Sequence, residues 1–318
     1  MFFFIELLRN RMIYRLWLPS SVIYSLQPWK AYGVDGCIMF SDILTPLKGM
    51  GVAYDIVEKL GPRLRPITSM ADVEKVTPIN PVQSMPFIAK ILRNLREEVG
   101  SSAAVLGFVG LPFTMATYLI EGGPSTEFKA TKEFAYRNPA AFSELLRRLA
   151  LNIADYANFQ IENGAELIQV FDSWAAVLSP YDYDSFAAPY QRMVIDKIKC
   201  RNPSTPVVIY IAKSGALLEK MSDQGADIIS IDSTVSVTEA QRRIASSVGI
   251  QGNLDPATLL LASDTEVVEQ TTQILSEVSP GRSHIMNLGH GIDAATSEDR
   301  VRLFVDTVRG FKRRQGNK

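Results

Sequence analysis

Seven short stretches of this chain are almost wholly apolar: "GCIMFSD", "AAVLGFVG", "ELIQVFDS", "PVVIYIAK", "ADIISID", "VGIQGNLD" and "SHIMNLGHG". Runs of that length without polar alternation predict parallel strands buried on both faces. Between them lie segments with helical spacing, such as "PFIAKILRNLREEV", "PAAFSELLRRLALNIADYANFQIENG" and "SEDRVRLFVDTVRGF". The last of these predicts a helix with Ser297 as its N-cap and Glu298 and Asp299 in its first turn, where the helix dipole favours acids. "ENGAE" and "DQGAD" predict helices that stop at Gly164 and Gly225, with a strand following at once.

Alternating β and α segments over this length predict a parallel sheet with helices outside it, either doubly wound or closed as a barrel. No GxGxxG or GxxxxGK[ST] follows a strand, so the nucleotide-binding reason for an open sheet is missing. The runs finish on Asp42, Gly110, Asp172-Ser173, Lys213-Ser214, Asp232, Asn253-Asp255 and Asn287-His290. Polar groups converging from many strand ends favour a (β/α)8 barrel of the TIM type, whose chemistry sits at that rim. Seven runs are one short of eight. The first strand must then come from the N-terminal residues, where "MFFFIE" is the candidate, or be missing. Residues 1–24 are accordingly read as an atypical N-terminal segment and 25–318 as one barrel domain.

Composition narrows the partners. The 318 residues are 47% hydrophobic and 21% charged, with a formal net charge of −1. A near-neutral chain has no electrostatic footprint for nucleic acid or an acidic membrane. No run approaches the roughly 20 apolar residues of a spanning helix, and "MFFFIELL" leads to no signal-cleavage pattern. The two cysteines, Cys37 and Cys200, cannot form a disulfide framework or a cysteine-rich zinc site, and they suggest a reducing compartment. Neither metal nor organic cofactor is expected.

An aspartate at the end of the buried run "CIMFSD" is costly unless its charge is used. The bland use is to cap a turn beginning at Ile43. The surrounding residues offer another. "SLQPWKAYGVDGCIMFSDILTPLKGMG", "GFVGLPFTMATYLIEGG", "IQVFDSWAAVLSP", "QGNLDP" and "NLGHGI" occur in the order found in uroporphyrinogen decarboxylases, and the chain resembles that family from about Ser25 to Phe311. The likeness is nearest to the form in photosynthetic organisms.

The resemblance implies a homodimeric (β/α)8 barrel that removes four acetate carboxyls from uroporphyrinogen, in haem and chlorophyll biosynthesis, without a cofactor. It assigns Asp42 to the pyrrole N–H groups at the centre of the tetrapyrrole and to the cationic ring formed on protonation. It places Tyr118 beside that acid, and Ser173 and His290 in contact with substrate. Each residue also has an ordinary reading: a half-buried amphipathic tyrosine, a strand-end serine serving the next turn, a turn histidine. Asp172 is left out of the site, because a second acid would repel a polycarboxylate. His284, at the start of its run, is read as a packing residue.

The chain departs from the family in three places. The "RQAGRY" motif, whose arginines grip substrate carboxylates, is absent; Arg11 and Arg15 share its spacing but read as a basic helix stripe. The family's Gly/Ser-rich turn is here "IAKSGA", which puts Lys213 at the rim. "DWTVD" is here "DSTVS", with Ser233 and Ser236. Two alternatives follow. One is a weakly active or inactive paralogue that binds tetrapyrroles, with an N-terminus unlike the family's. The other is a zinc- and corrinoid-dependent methyltransferase of the same superfamily, disfavoured because neither cysteine has a histidine beside it. The expected compartment is the plastid stroma if a transit peptide has been lost, and otherwise the cytoplasm.

Overall fold

A computed structural model describes residues 17–57 and 61–312. Each of the seven apolar runs contributes a strand. These are β1 (Gly36–Ile38), β4 (Ala104–Gly110), β5 (Leu167–Phe171), β6 (Val207–Tyr210), β7 (Ile228–Ser230), β8 (Gly249–Gln251) and β9 (His284–Ile285). They pair in parallel in the order β1-β4-β5-β6-β7-β8-β9, one curled sheet. Between β1 and β4 lies an antiparallel hairpin, β2 (Tyr54–Val57) and β3 (Gly61–Leu64). The apolar pattern does not announce it, because Asp55, Ile56 and Val57 all face solvent and Pro62 lies within β3. A two-stranded ribbon tolerates proline because it has only edges. The segment "MFFFIE", expected to supply an eighth strand, lies outside the described residues, as do Arg11 and Arg15. Among the described residues β1 and β9 end the sheet.

The strands alternate between two environments. Val105, Val109, Ile168, Val170, Val207, Ile209, Ile229 and Ile250 point outward into the main core. There they meet the helix Pro86–Val99 through Ile88, Ile91, Leu92 and Leu95, and the helix Pro139–Glu162 through Phe142, Leu145, Leu146 and Leu149. The intervening positions Phe108, Phe171 and Tyr210 form a separate cluster with Ile38, Ile43 and Ala212 against it. This second cluster is the inside of the barrel. Below it a polar layer is closed by the Gln251 amide, which donates to Gln169 Oε1 at 3.1 Å and Ser230 Oγ at 3.0 Å.

The helix ends follow the sequence closely. Ser297 caps Glu298–Gly310 by accepting from Arg300 N, and Gly164 and Gly225 take positive φ (116° and 85°). A helix Trp17–Tyr32 runs unbroken across position 24. It is tied to the first strand by Ser25, whose Oγ accepts from Phe40 N at 2.7 Å and whose carbonyl accepts from Cys37 Sγ at 3.2 Å.

One junction fixes how β1 leaves the sheet. Its pairing with β4 ends at Ile38↔Leu106 and the Met39 N bond to Leu106 O, whereas β4 continues to Gly110. The next inward-facing pair of backbone groups on that edge, at Phe108, is taken by a side-chain amide. Gln160 Oε1 accepts from Phe108 N at 2.9 Å and Gln160 Nε2 donates to Phe108 O at 3.0 Å. Gln160 is fully buried and stands in for a missing strand residue. Gly107 makes room for it, since a Cβ there would lie 2.4 Å from Gln160 Oε1. Leaving buried backbone groups unpaired costs about 1–3 kcal/mol each. Gln160→Leu and Gly107→Ala are therefore each expected to lower stability by about 2–4 kcal/mol. Chemical denaturation checks this: midpoints equal to the parent's would show that the amide clamp contributes nothing.

Candidate active site

After β1 the chain passes through Met39 and Phe40 to the rim, and Asp42 opens the turn into a 3-10 helix, Thr45–Met50. Asp42 Oδ1 accepts from Leu44 N at 2.7 Å, and its backbone carbonyl accepts from Thr45 N at 3.0 Å. The capping role read from sequence is thus real, and it occupies one carboxylate oxygen. Burial pushes the Asp42 carboxyl above the ordinary carboxylate range, opposed only by the Leu44 N–H. The following residue, Ile43, belongs to the barrel-interior cluster of Phe108, Phe171 and Tyr210. Asp42 therefore stands at the lip of an apolar throat.

The other strand-end acids are engaged differently. Asp172 Oδ1 accepts from Thr114 N at 2.8 Å and Thr114 Oγ1 at 2.7 Å, and its Oδ2 accepts from Gln191 Nε2 at 2.8 Å. Asp232 accepts from Ser214 N and from both Thr234 N and Thr234 Oγ1. Asp255 is an exposed N-cap for the helix Pro256–Leu261, accepting from Ala257 N at 2.9 Å. Among the described residues, Asp42 is the strand-end acid that combines strong desolvation with an oxygen outside any hydrogen bond.

Tyr118 lies half-buried on the helix Pro112–Glu121, which starts directly after β4. Its ring stacks on Trp174, with centroids 4.1 Å apart and planes 32° from parallel, and Phe128 meets the same indole edge-on at 5.4 Å. Ser173, half-buried, opens the 3-10 helix Ser173–Val177 beyond β5, so Trp174 joins Tyr118 and Ser173 into one face. Nothing in the residue pattern beyond its place in "FDSW" points to this indole's stacking.

His290 is exposed beyond β9, its ring 6.4 Å from that of Tyr210 at 66°. Tyr210 in turn meets Phe171, which meets Phe108, in edge-on contacts, and its hydroxyl donates to Gly289 O at 3.2 Å. The rings thus run from His290 down into the throat that Ile43 closes on the other side. Gly289 is needed for this approach, because a Cβ there would lie 2.4 Å from Ser233 N. His284 opens β9 with its Nε2 2.8 Å from Gly252 O, and burial lowers its pKa, in keeping with a packing role.

Ser236 caps the helix Val237–Arg243 by accepting from Glu239 N. Lys213 is exposed at the rim with φ 52°, a left-handed conformation uncommon for a side chain of its size. The hairpin adds two cations that sequence reasoning missed. Leu64 N donates to Gly122 O and Ile67 N to Leu119 O, docking the strand that carries exposed Arg63, and the Arg65 after it, against the end of the Tyr118 helix. A surface cavity of about 400 Å³ on that flank is lined by Glu121, Pro124, Ser125, Thr126, Glu127 and Lys129. Its two carboxylates suit a polyanionic ligand poorly, so the throat is the better candidate.

Among the described residues no group of three or more His, Cys, Asp or Glu is placed to hold a metal ion, and no helix is long and apolar enough to cross a membrane. Cys37 is buried with its thiol pushed up to about 11, and Cys200 is exposed.

Solved structures with this arrangement include a methyltransferase from Methanosarcina mazei, 19% identical, with a TM-score of 0.77 over 90% of this chain and 83% of that one. A B12-independent methionine synthase from Shewanella sp. is 15% identical, with a TM-score of 0.59 over 91% of this chain and 85% of that one. At such identities the likeness speaks for the barrel fold alone. Curated sequences are much nearer. Uroporphyrinogen decarboxylase of Picosynechococcus sp. is 47% identical over 289 residues, 91% of this chain and 82% of that protein. The enzyme of the same name from Parasynechococcus marenigrum is 48% identical over 281 residues, 88% of this chain and 79% of that protein. The sequence model described as "Uroporphyrinogen decarboxylase (URO-D)" matches residues 21–311. The chain belongs to the uroporphyrinogen decarboxylase family.

Proposed function

We propose that this chain removes the four acetate carboxyls of uroporphyrinogen III to give coproporphyrinogen III, on the path to haem and chlorophyll, with Asp42 as the central acid. The observation that carries the reading is the Asp42 carboxylate: desolvated, beside an apolar throat, with one oxygen left over after Leu44 N is served. The four pyrrole N–H groups of the substrate converge on a point that one carboxylate oxygen can accept from. Protonating the pyrrole α-carbon next to the one that bears an acetate arm makes that ring cationic. The C–C bond to the carboxyl then breaks, its electron pair neutralises the ring by forming an exocyclic methylene, and carbon dioxide leaves. A proton adds to that methylene to make the methyl group, and the first proton leaves the ring carbon to restore the pyrrole. A fixed negative charge near the developing cation stabilises the transition state more than the ground state.

In this reading the Tyr118 hydroxyl hydrogen-bonds Asp42 and orients it, Ser173 donates to a carboxylate arm, and His290 contacts another arm from the far rim. Lys213, Arg63 and Arg65 are exposed cations that can attract further carboxylates, as point charges or forks respectively. The barrel is proposed to act as one domain from residue 25 and as a homodimer. Its proposed compartment is the cytoplasm, or the plastid stroma if the chain carries a transit peptide. A zinc methyltransferase is disfavoured by the cysteines, since neither Cys37 nor Cys200 has a histidine beside it in the sequence.

Four outcomes are expected. Asp42→Asn keeps the shape and removes the charge, so turnover of uroporphyrinogen should fall by about two orders of magnitude or more; unchanged turnover would remove Asp42 from the mechanism. The same variant should be more stable than the parent at neutral pH. The folded-state pKa of Asp42 lies above its unfolded value, so the native protein holds the proton more tightly and loses stability as pH rises through that window. Melting temperatures of the two proteins at acid and neutral pH measure the difference, which should shrink at acid pH. For the parent, kcat/KM should decline on the acid side at a pH above the ordinary carboxylate range, as Asp42 takes up its proton. Finally, turnover should survive chelator treatment, with elemental analysis returning no stoichiometric zinc.

A further inference from the structure

The aspartate that the family reading leaves idle, Asp172, is entirely buried. It follows β5 directly and continues the sheet, with its N–H on Tyr210 O at 2.9 Å. Its side chain turns to the neighbouring helix Pro112–Glu121, whose N-cap, Leu111, has no capping side chain of its own. Asp172 Oδ1 takes the backbone N–H of Thr114, the third residue of that helix, and the Thr114 hydroxyl as well. It is a helix cap supplied from another strand, with the sign the helix dipole favours. Thr114 Oγ1 also accepts from Trp174 N at 3.2 Å. On the other side Oδ2 takes Gln191 Nε2 at 2.8 Å, and Gln191 Oε1 takes the Tyr183 hydroxyl at 2.5 Å. Thr114, Gln191 and Tyr183 are each at most 2% exposed.

The network therefore joins the Tyr118 helix, the Ser173–Val177 turn, and the helices Pro180–Phe186 and Ala188–Arg201. Thr114 and Tyr118 are one turn apart on one helix, and Ser173 and Trp174 follow Asp172 directly. We propose that Asp172 is a positioning residue, which holds Tyr118 and Ser173 in one fixed relation across the rim between β4 and β5. The inference rests on the reading of Tyr118 and Ser173 as substrate-contacting groups. All three donors to Asp172 match an acceptor-only carboxylate; an amide in its place would face Gln191 Nε2 with a donor. Burial raises the carboxyl to about 6, so its retention as an ionised acceptor is not explained by stability. A placement role explains it, since a misplacement of about 1 Å at a reacting centre can cost about a hundredfold in rate.

Thr114→Val is the informative variant, because it removes the hydroxyl link between Asp172 and Trp174 N while keeping volume and the backbone cap. Thr114→Val and Asp172→Asn should lower kcat on uroporphyrinogen at least tenfold with KM changed less than about threefold, and Thr114→Ser should restore kcat. In a Tyr118→Phe, Ser173→Ala background the further effect of Thr114→Val should largely vanish, the non-additivity expected when one residue acts through others. Near-UV circular dichroism supplies a readout independent of turnover: Thr114→Val should diminish the signal that Trp174→Phe abolishes. A folded Thr114→Val protein with parental kcat and parental dichroism, beside an impaired Tyr118→Phe, Ser173→Ala protein, overturns the inference alone. If that double variant turns over normally, the underlying site reading falls and this inference with it.

Discussion

Every backbone group of a strand buried on both faces must find a partner, and the geometry of this rim depends on how one strand edge meets that demand. β1 stops pairing at Ile38 while β4 runs on to Gly110. Had β1 continued, the chain could not have turned to carry Asp42 to the lip and Ile43 into the throat. Because β1 stops, the edge of β4 would be left with two unpaired groups at Phe108 in a dry interior. The Gln160 amide takes both, from a helix outside the barrel, and Gly107 leaves the gap through which it reaches. A short strand, a glycine and a glutamine thus act together. None has a catalytic assignment, yet together they set where Asp42 emerges at the rim.

Strand-end acids share a position in the fold but divide into distinct roles according to how many donors surround them. Asp172 and Asp232 are saturated by backbone and side-chain donors and bind elements to one another. Asp255 caps a helix in water. Asp42 is half-buried with one backbone donor, so its other oxygen is left to solvent or a ligand. Underserved charge in a desolvated place is what an active site uses and what a merely structural acid avoids. The motif spelling singled out Asp42; the donor count around each acid gives the physical reason.

Much of the barrel was legible because its signals are local. A doubly buried strand shows as an apolar run, and a helix start shows as a capping serine, so all seven strands and the cap at Ser297 could be read directly. Gly164 and Gly225 take positive φ but lie beyond the helix ends at Glu162 and Ser222. The β2–β3 hairpin escaped because an exposed ribbon with a proline has no apolar alternation to detect. Asp42, Tyr118, Ser173 and His290 were proposed by resemblance, and their neighbours could not be. The Trp174 stack on Tyr118, the Gln160 clamp and the Asp172 network each join residues 52 or more positions apart, or cross between elements by side-chain geometry that no spacing rule encodes. The first strand stays an expectation, because "MFFFIE" lies outside the described residues.

The disposition of the two thiols has a practical side. Cys37 is locked beneath the first helix, donating to the Ser25 carbonyl, and its raised pKa leaves almost no thiolate at neutral pH. Cys200 is exposed in the last turn of the helix Ala188–Arg201, which runs back toward the start of β6 and so ends at the barrel's base. An alkylating dye added to the untreated protein would accordingly attach at one place, at the pole opposite the rim. Nature has in effect left this barrel with a single built-in handle for fluorophores, spin probes or surface tethering, one that reports tumbling and assembly while the mouth stays untouched.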